Sequence, residues 1–203
     1  MDDAEPDPDA QRARVLARRV ELETRRFVER VVIGLGLCPF ARAPWEADRV
    51  DVVVSGARSE AALLGDLGRA IDRLLATPAA ELETTLLVHP HVLGDFETFN
   101  DFLDEVDALL AERDLEGVLQ VASFHPDYRF AGAPPDDPAD ATNRSPWPML
   151  HLLREASVGA AVEAHPDAAS IPERNVAVLR ELGAERVRAL LASLREDEPA
   201  DDE

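Results

Sequence analysis

The chain has 203 residues and a formal net charge of −20, so it is long enough for one domain with a hydrophobic core and is strongly acidic. An acidic surface repels phosphate backbones, which argues against nucleic acid as a partner, and no apolar run approaches the roughly 20 residues of a membrane span. Because Cys38 is the single cysteine and the Asp- and Pro-rich N-terminus has no secretory-signal pattern, we expect a cytoplasmic protein without internal disulfides.

Clusters of acidic residues mark both ends of the chain. Residues 1–9 and 196–203 are predicted to be disordered acidic tails, and they flank a single domain over 10–195. Within this domain, apolar residues recur at helical spacing through 10–35. That spacing predicts a long N-terminal helix.

A β-α-β-α-β pattern follows the first helix. Strands are predicted over 49–55, 83–89 and 117–125, joined by one helix over 59–76 and a second that Asp95 caps. Connections of helix length favour parallel strands with right-handed crossovers. We therefore predict an α/β fold with a small, three-stranded, parallel sheet. An antiparallel arrangement, as in a split ferredoxin-like sheet, stays open as the alternative.

The segment 126–145 is irregular and longer than most connections inside a compact domain, which is typical of functional or disordered loops. Its aromatic and basic residues argue against simple disorder. At its end, Ser145 and Pro146 have the pattern of a helix N-cap and first helical position, which predicts a helix through Arg154. Two C-terminal helices complete the pattern, over 176–182 and 184–194.

Two His-Pro steps end predicted strands, at His89 and at His125. Parallel strands would place both imidazoles at one edge of the sheet, where open α/β folds bind their ligands. An imidazole can exchange a proton near neutral pH or ligate a metal. The alternative for each residue is a buried, hydrogen-bonded imidazole with a structural role.

Three more residues are candidates for chemistry. Cys38 lies in an apolar context and is either a small buried hydrophobe or a thiolate paired with a histidine. Asp127 follows His125 closely enough to orient an imidazole. His151, on the helix predicted after the long loop, faces either the site or the core.

The long loop carries groups suited to an anionic substrate. Guanidinium forks match carboxylate or phosphate geometry, and amide and hydroxyl groups add donors. These candidate substrate-binding residues are Tyr128, Arg129, Asn143 and Arg144. The alternative is that they hold the loop in place through contacts with neighbouring acids.

Five segments together resemble domain-of-unknown-function family 1415, a family of uncharacterised bacterial proteins. The resemblance extends over about residues 20–183 and implies family membership, but it implies no activity, cofactor or catalytic residue. The segments are 36–41, 83–90, 124–132, 143–156 and 171–175.

The leading functional hypothesis is a cytoplasmic enzyme that acts on a small anionic molecule. His125 or His89 would be the general acid or base, and Cys38 would be a nucleophile or part of the wall. A non-catalytic module is the alternative, binding either a small ligand or a partner that Trp147, Phe130 and Tyr128 would anchor. Metal binding is a third hypothesis, and neither a cofactor nor a reaction follows from the residues.

Overall fold

A four-stranded mixed sheet organises residues 7–195, the part of the chain that the computed structural model describes. Its strand order is β1-β2-β4-β3. β1 is parallel to β2, whereas β4 is antiparallel to both β2 and β3, so β1, β2 and β3 all run in one direction. The strands are β1 (Val50–Val54), β2 (Thr84–Val88), β3 (Leu119–Phe124) and β4 (Met149–Arg154).

Helices cover both faces of this sheet. α3 and α4 pack on one face, and the N-terminal and C-terminal helices pack on the other. None of the described helices combines the length and apolar character needed to cross a bilayer. The helices are α1 (Pro8–Arg26), a π-helical segment (Phe27–Ile33), α2 (Arg42–Glu46), α3 (Glu60–Ala76), α4 (Phe96–Glu112), α5 (Glu155–Ala164), α6 (Ile171–Leu182) and α7 (Ala184–Ser193).

The first three strands and the helices between them form where the hydrophobic pattern predicts them. The α4 N-terminus follows the expected rule, because the Asp95 carboxylate accepts the Thr98 N–H at 2.9 Å. α1 begins at Pro8, capped by Asp7, two residues earlier than predicted. The remainder of the predicted tails, 1–6 and 196–203, lies outside the described residues.

The predicted α/β class is confirmed, but the sheet has a fourth, antiparallel strand that was not predicted, and the predicted helix through Arg154 is wrong. Ser145 caps no helix, because its hydroxyl donates to the Trp147 carbonyl at 2.6 Å. Met149–Arg154 instead forms β4, the antiparallel strand between β2 and β3. β4 shows no regular alternation of apolar and polar residues, because both faces of an interior strand are covered. In sequence, such an apolar run resembles a buried helix.

The chain after α1 winds into a π-helix, a rare geometry that often marks functional sites. Gly34 ends this segment, and a Cβ added there would overlap the Arg30 carbonyl oxygen. A residue without a side chain is therefore required at the exit of the π-helical segment.

Gly34→Ala is expected to lower the free energy of unfolding by about 1–3 kcal/mol, because the added methyl forces the π-helical segment to shift. Urea denaturation at pH 7 measures the change. Gly94→Ala is the matched control, since a Cβ at position 94 meets nothing within 4 Å. Equal stability of the two variants would contradict the steric account.

Candidate functional site

His89 and His125 do meet at one edge of the sheet. Because β2 and β3 run in the same direction, both residues leave their strands at the same end. Their rings stack on Phe99 of α4, with centroid distances of 5.6 and 5.2 Å. β4 lies between the two strands, so the histidines share Phe99 across an intervening strand.

Both rings are hydrogen-bonded to the main chain of the loop before α4. A His89 Nδ1–H donates to the Val92 carbonyl and a His125 Nε2–H donates to the Leu93 carbonyl, each at 3.2 Å. The remaining nitrogen of His125, Nδ1, accepts the Asp127 N–H at 3.0 Å. Leu93 has a left-handed φ of 57°, so the two imidazoles secure a strained turn.

Burial keeps these histidines uncharged at neutral pH. Both residues are 0% exposed. Desolvation, assisted by the nearby His125, lowers the pKa of His89 to about 4, and desolvation also lowers the pKa of His125. The Nε2 atom of His89 has no hydrogen-bond partner among the described residues and is sealed from solvent. Their burial and their hydrogen bonds to the main chain indicate that His89 and His125 stabilise the fold.

The long loop holds itself together with the groups predicted to bind substrate. Arg144 donates to the Tyr128 carbonyl at 2.9 Å and pairs with the buried Asp140 carboxylate at 3.1 Å. The Asn143 amide donates to the Ser123 carbonyl at 2.9 Å. Two further candidates, Asp127 and Arg129, are exposed. The structure therefore does not gather these residues into a pocket.

The opposite face of the sheet carries a cavity of about 590 Å³. It lies between the strands and the π-helical segment, and residues 38–45 and α5 close its sides. Cys38 and His151 both line it, on the other side of the sheet from His89 and His125. The predicted catalytic set is thus divided between two faces.

Strand register arranges the sheet wall of the cavity in three layers. The deep layer pairs Phe124 with Met149, and the middle layer pairs Ala122 with His151. The outer layer pairs Gln120 with Leu153. All six residues line the cavity. Polarity therefore increases from an apolar deep end toward the mouth, and the small Ala122 leaves space beside the imidazole.

His151 presents one free nitrogen to this cavity. The Thr84 hydroxyl donates to the Leu152 carbonyl, so its oxygen accepts from His151 Nε2–H at 2.8 Å. Nδ1 is therefore an acceptor without a partner among the described residues, and it is not sealed off as His89 Nε2 is. Burial lowers the pKa of His151 to about 4, which keeps the ring neutral.

Cys38 is a thiol in the wall of the cavity. Desolvation raises its pKa, while hydrogen bonds from the Phe40 and Ala41 backbone partly offset that effect. A thiol with a raised pKa is a weak nucleophile at neutral pH. Within residues 7–195, no group of three or more His, Cys, Asp or Glu side chains is arranged to hold a metal ion.

Charged groups collect at the mouth. Arg49 pairs with Glu83 at 3.3 Å. Arg154, the last residue of β4, points instead to the α3 face of the sheet, where its Nη2 donates to the Leu74 and Thr77 carbonyls at 2.5 and 2.7 Å. The sequence did not indicate this end of the cavity, because β4 was predicted to be a helix. The signal that could have indicated it is on β3, where Gln120, Ala122 and Phe124 occupy every second position and therefore share the face of the strand that lines the cavity.

Acid should destabilise the protein through its buried histidines. In the unfolded chain His89 takes up a proton near its ordinary pKa of about 6.5, whereas the folded ring does so only near 4. The free energy of unfolding is therefore unaffected above about pH 6.5 and falls as the pH drops from there to about 4, by up to about 3 kcal/mol for His89.

His89→Gln is expected to flatten this loss of stability, measured by urea unfolding at pH 7.5 and pH 5. His91→Gln removes an exposed histidine two residues away and is the control. If the His89→Gln variant loses as much stability in acid as the unmodified protein, the loss does not come from His89.

Comparison with known proteins confirms the resemblance seen in the sequence. The family model described as "Protein of unknown function (DUF1415)" matches residues 19–189 of the 203-residue chain. Searches of curated proteins and of solved structures each returned no match. The matched range contains all four strands and every residue that lines the cavity. The chain therefore belongs to the DUF1415 family.

Proposed function

We propose that this protein binds a small, largely apolar molecule in the cavity between the sheet and the π-helical segment. The observation that carries the proposal is the cavity itself, whose volume of about 590 Å³ is within the roughly 300–1,000 Å³ of small-molecule sites. Aromatic and aliphatic side chains form most of its wall, including Phe27, Phe40, Trp45 and Phe124.

The polarity of the wall orients the ligand. Its apolar part is expected at the deep end, against Phe124 and Met149, where no polar group offers a hydrogen bond. His151 Nδ1 accepts a hydrogen bond from a donor near the middle of the ligand. The polar end of the ligand then lies toward the mouth.

Ligand binding has more support than catalysis. The Cys38 thiol and the His151 imidazole are both neutral at pH 7, so the pair lacks the thiolate and imidazolium of an activated nucleophile. His89 and His125 are fully buried and hydrogen-bonded to the main chain. A cytoplasmic location fits this proposal, because a reducing compartment keeps the cavity thiol free of oxidation.

Partner binding through the loop aromatics has less support. The Trp147 indole donates to the Glu23 carboxylate at 2.7 Å, which ties this side chain to α1. Tyr128 packs against Phe96 at 5.2 Å. Phe130 is 40% exposed, but single exposed apolar residues are ordinary on protein surfaces.

Nile red, a neutral apolar dye, is expected to bind with one-to-one stoichiometry and enhanced fluorescence. Ala122→Phe should weaken this binding at least about tenfold, because the new ring occupies the space beside His151. Ala111→Phe adds the same bulk at an exposed position of α4 and is the matched control. Equal binding of the dye by the unmodified protein and the folded Ala122→Phe variant would show that Nile red binds outside the cavity, which would contradict the proposed site.

Cys38 supplies an independent reporter of occupancy. Because its thiol lines the cavity, bound Nile red should slow alkylation of Cys38 by iodoacetamide, with intact-mass spectrometry as the measurement. The same dye should leave the alkylation rate of the Ala122→Phe variant unchanged. Unaltered alkylation in the dye-saturated, unmodified protein would contradict the proposed location.

A further inference from the structure

We infer that the natural ligand is an uncharged phenol whose hydroxyl donates a hydrogen bond to His151, and that Thr84 sets this preference by fixing the tautomer of the imidazole. The inference rests on the proposed function and specifies the class of ligand. Three observations carry it: the hydrogen bonds of the Thr84 hydroxyl, the pairing of the charges around the cavity, and the aromatic rings beside His151.

The Thr84 hydroxyl has one proton and two hydrogen-bonding neighbours. It contacts the Leu152 carbonyl oxygen, which can only accept a hydrogen bond, and it lies 2.8 Å from His151 Nε2. Because the carbonyl takes the single hydroxyl proton, the Thr84 oxygen accepts from His151 Nε2–H. Thr84 is buried, so both bonds are shielded from bulk solvent. The imidazole is therefore held in the tautomer that has its proton on Nε2.

This tautomer makes His151 a selective group in the cavity. Its Nδ1 atom has a lone pair and no proton, and it has no hydrogen-bond partner among the described residues. Burial lowers the pKa of the ring to about 4, so Nδ1 stays unprotonated at pH 7. A ligand hydroxyl can donate to this lone pair, whereas an ether or carbonyl oxygen would place a second acceptor against it. The middle layer of the cavity therefore favours a hydrogen-bond donor.

The charges around the cavity are already compensated. Arg49 pairs with Glu83 at 3.3 Å. Arg154 borders the cavity, but its guanidinium faces α3, where it donates to three main-chain carbonyls near the negative end of that helix. Among the described residues, no other charged side chain lines the cavity. A carboxylate or ammonium group would lose its hydration here without gaining a counter-charge, so an uncharged ligand is favoured.

Aromatic rings beside His151 favour a hydroxyl that is carried on a flat ring. The Phe124 ring lies 6.2 Å from the His151 ring and 6.0 Å from the Phe27 ring, measured between centroids. The small Ala122, opposite His151 on β3, leaves a gap beside the imidazole. An aromatic ligand can pack edge-to-face against these rings. A phenol combines such a ring with a hydroxyl that stays neutral at pH 7, since the pKa of a phenol is about 10.

Isothermal titration calorimetry at pH 7 with 2-naphthol, 2-methoxynaphthalene and 2-naphthoate tests the inference. The three ligands share a ring system and differ in the group that meets His151. 2-Naphthol is expected to bind about tenfold more tightly than the methyl ether, because the ether places an acceptor against Nδ1. 2-Naphthoate is expected to bind at least about a hundredfold more weakly than 2-naphthol, because its charge has no partner.

Thr84→Val tests the role of the tautomer. Valine keeps the shape of the side chain but leaves a proton on His151 Nε2 without an acceptor, so the ring should carry its proton on Nδ1 instead. The methyl ether should then gain affinity and 2-naphthol should lose it, which lowers their affinity ratio from about tenfold to less than about twofold. Thr84→Ser retains the hydroxyl and is the matched control, with an unchanged ratio.

Nitrogen-15 NMR of the histidine rings gives a readout that a purely structural role of Thr84 would not change. The His151 signals are assigned by their loss in a His151→Gln variant. The unmodified protein and the Thr84→Ser variant should have His151 protonated at Nε2, whereas the folded Thr84→Val variant should have it protonated at Nδ1. The same tautomer in all three proteins would contradict the role of Thr84.

The outcomes separate the inference from the proposed function. Equal affinities of the unmodified protein for 2-naphthol and its methyl ether, or binding of 2-naphthoate as tight as that of 2-naphthol, overturn the inference and leave the apolar cavity as a binding site. An unchanged affinity ratio in folded Thr84→Val protein also overturns it. Failure of Nile red, 2-naphthol and 2-methoxynaphthalene alike to bind the unmodified protein overturns the proposed function as well.

Discussion

The insertion of β4 between β2 and β3 is the constraint on which the rest of the structure depends. An antiparallel strand in this position makes both β2 and β4 interior strands, so helices must cover both faces of the sheet. It also separates the two strands that end in His-Pro, so that His89 and His125 meet only through Phe99. The same strand carries His151 into the cavity.

The cavity follows from the alternation of side chains along β4. Leu150 and Leu152 face the core beneath α3 and α4, whereas Met149 and His151 face the opposite side. A polar residue in an interior strand is costly unless it is hydrogen-bonded, and Thr84 supplies that bond. Because the neighbour of His151 on β3 is the small Ala122, space remains beside the imidazole, which packs against the Phe124 ring at a centroid distance of 6.2 Å.

Most elements, but not the centre of the sheet, could be predicted from the sequence. β1, β2 and β3 have β-branched or apolar runs bounded by turn residues, and α4 has an N-cap at Asp95. Met149–Arg154 is rich in Leu and follows two prolines, so local signals could not distinguish a buried strand from a helix. That one ambiguity also concealed the cavity, since the placement of His151 and Cys38 in one cavity wall depends on long-range strand pairing. The shared edge of His89 and His125 was predictable because it depends only on strand direction.

Three buried histidines in this fold show why a lowered pKa does not by itself indicate function. Burial lowers the pKa in each case. His125 has both ring nitrogens bonded to the main chain, and the free nitrogen of His89 has no route to solvent. His151 alone of the three combines a fixed tautomer with a lone pair facing a cavity. The accessibility of that lone pair, and not the pKa, separates an imidazole that can meet a ligand from one that holds a loop.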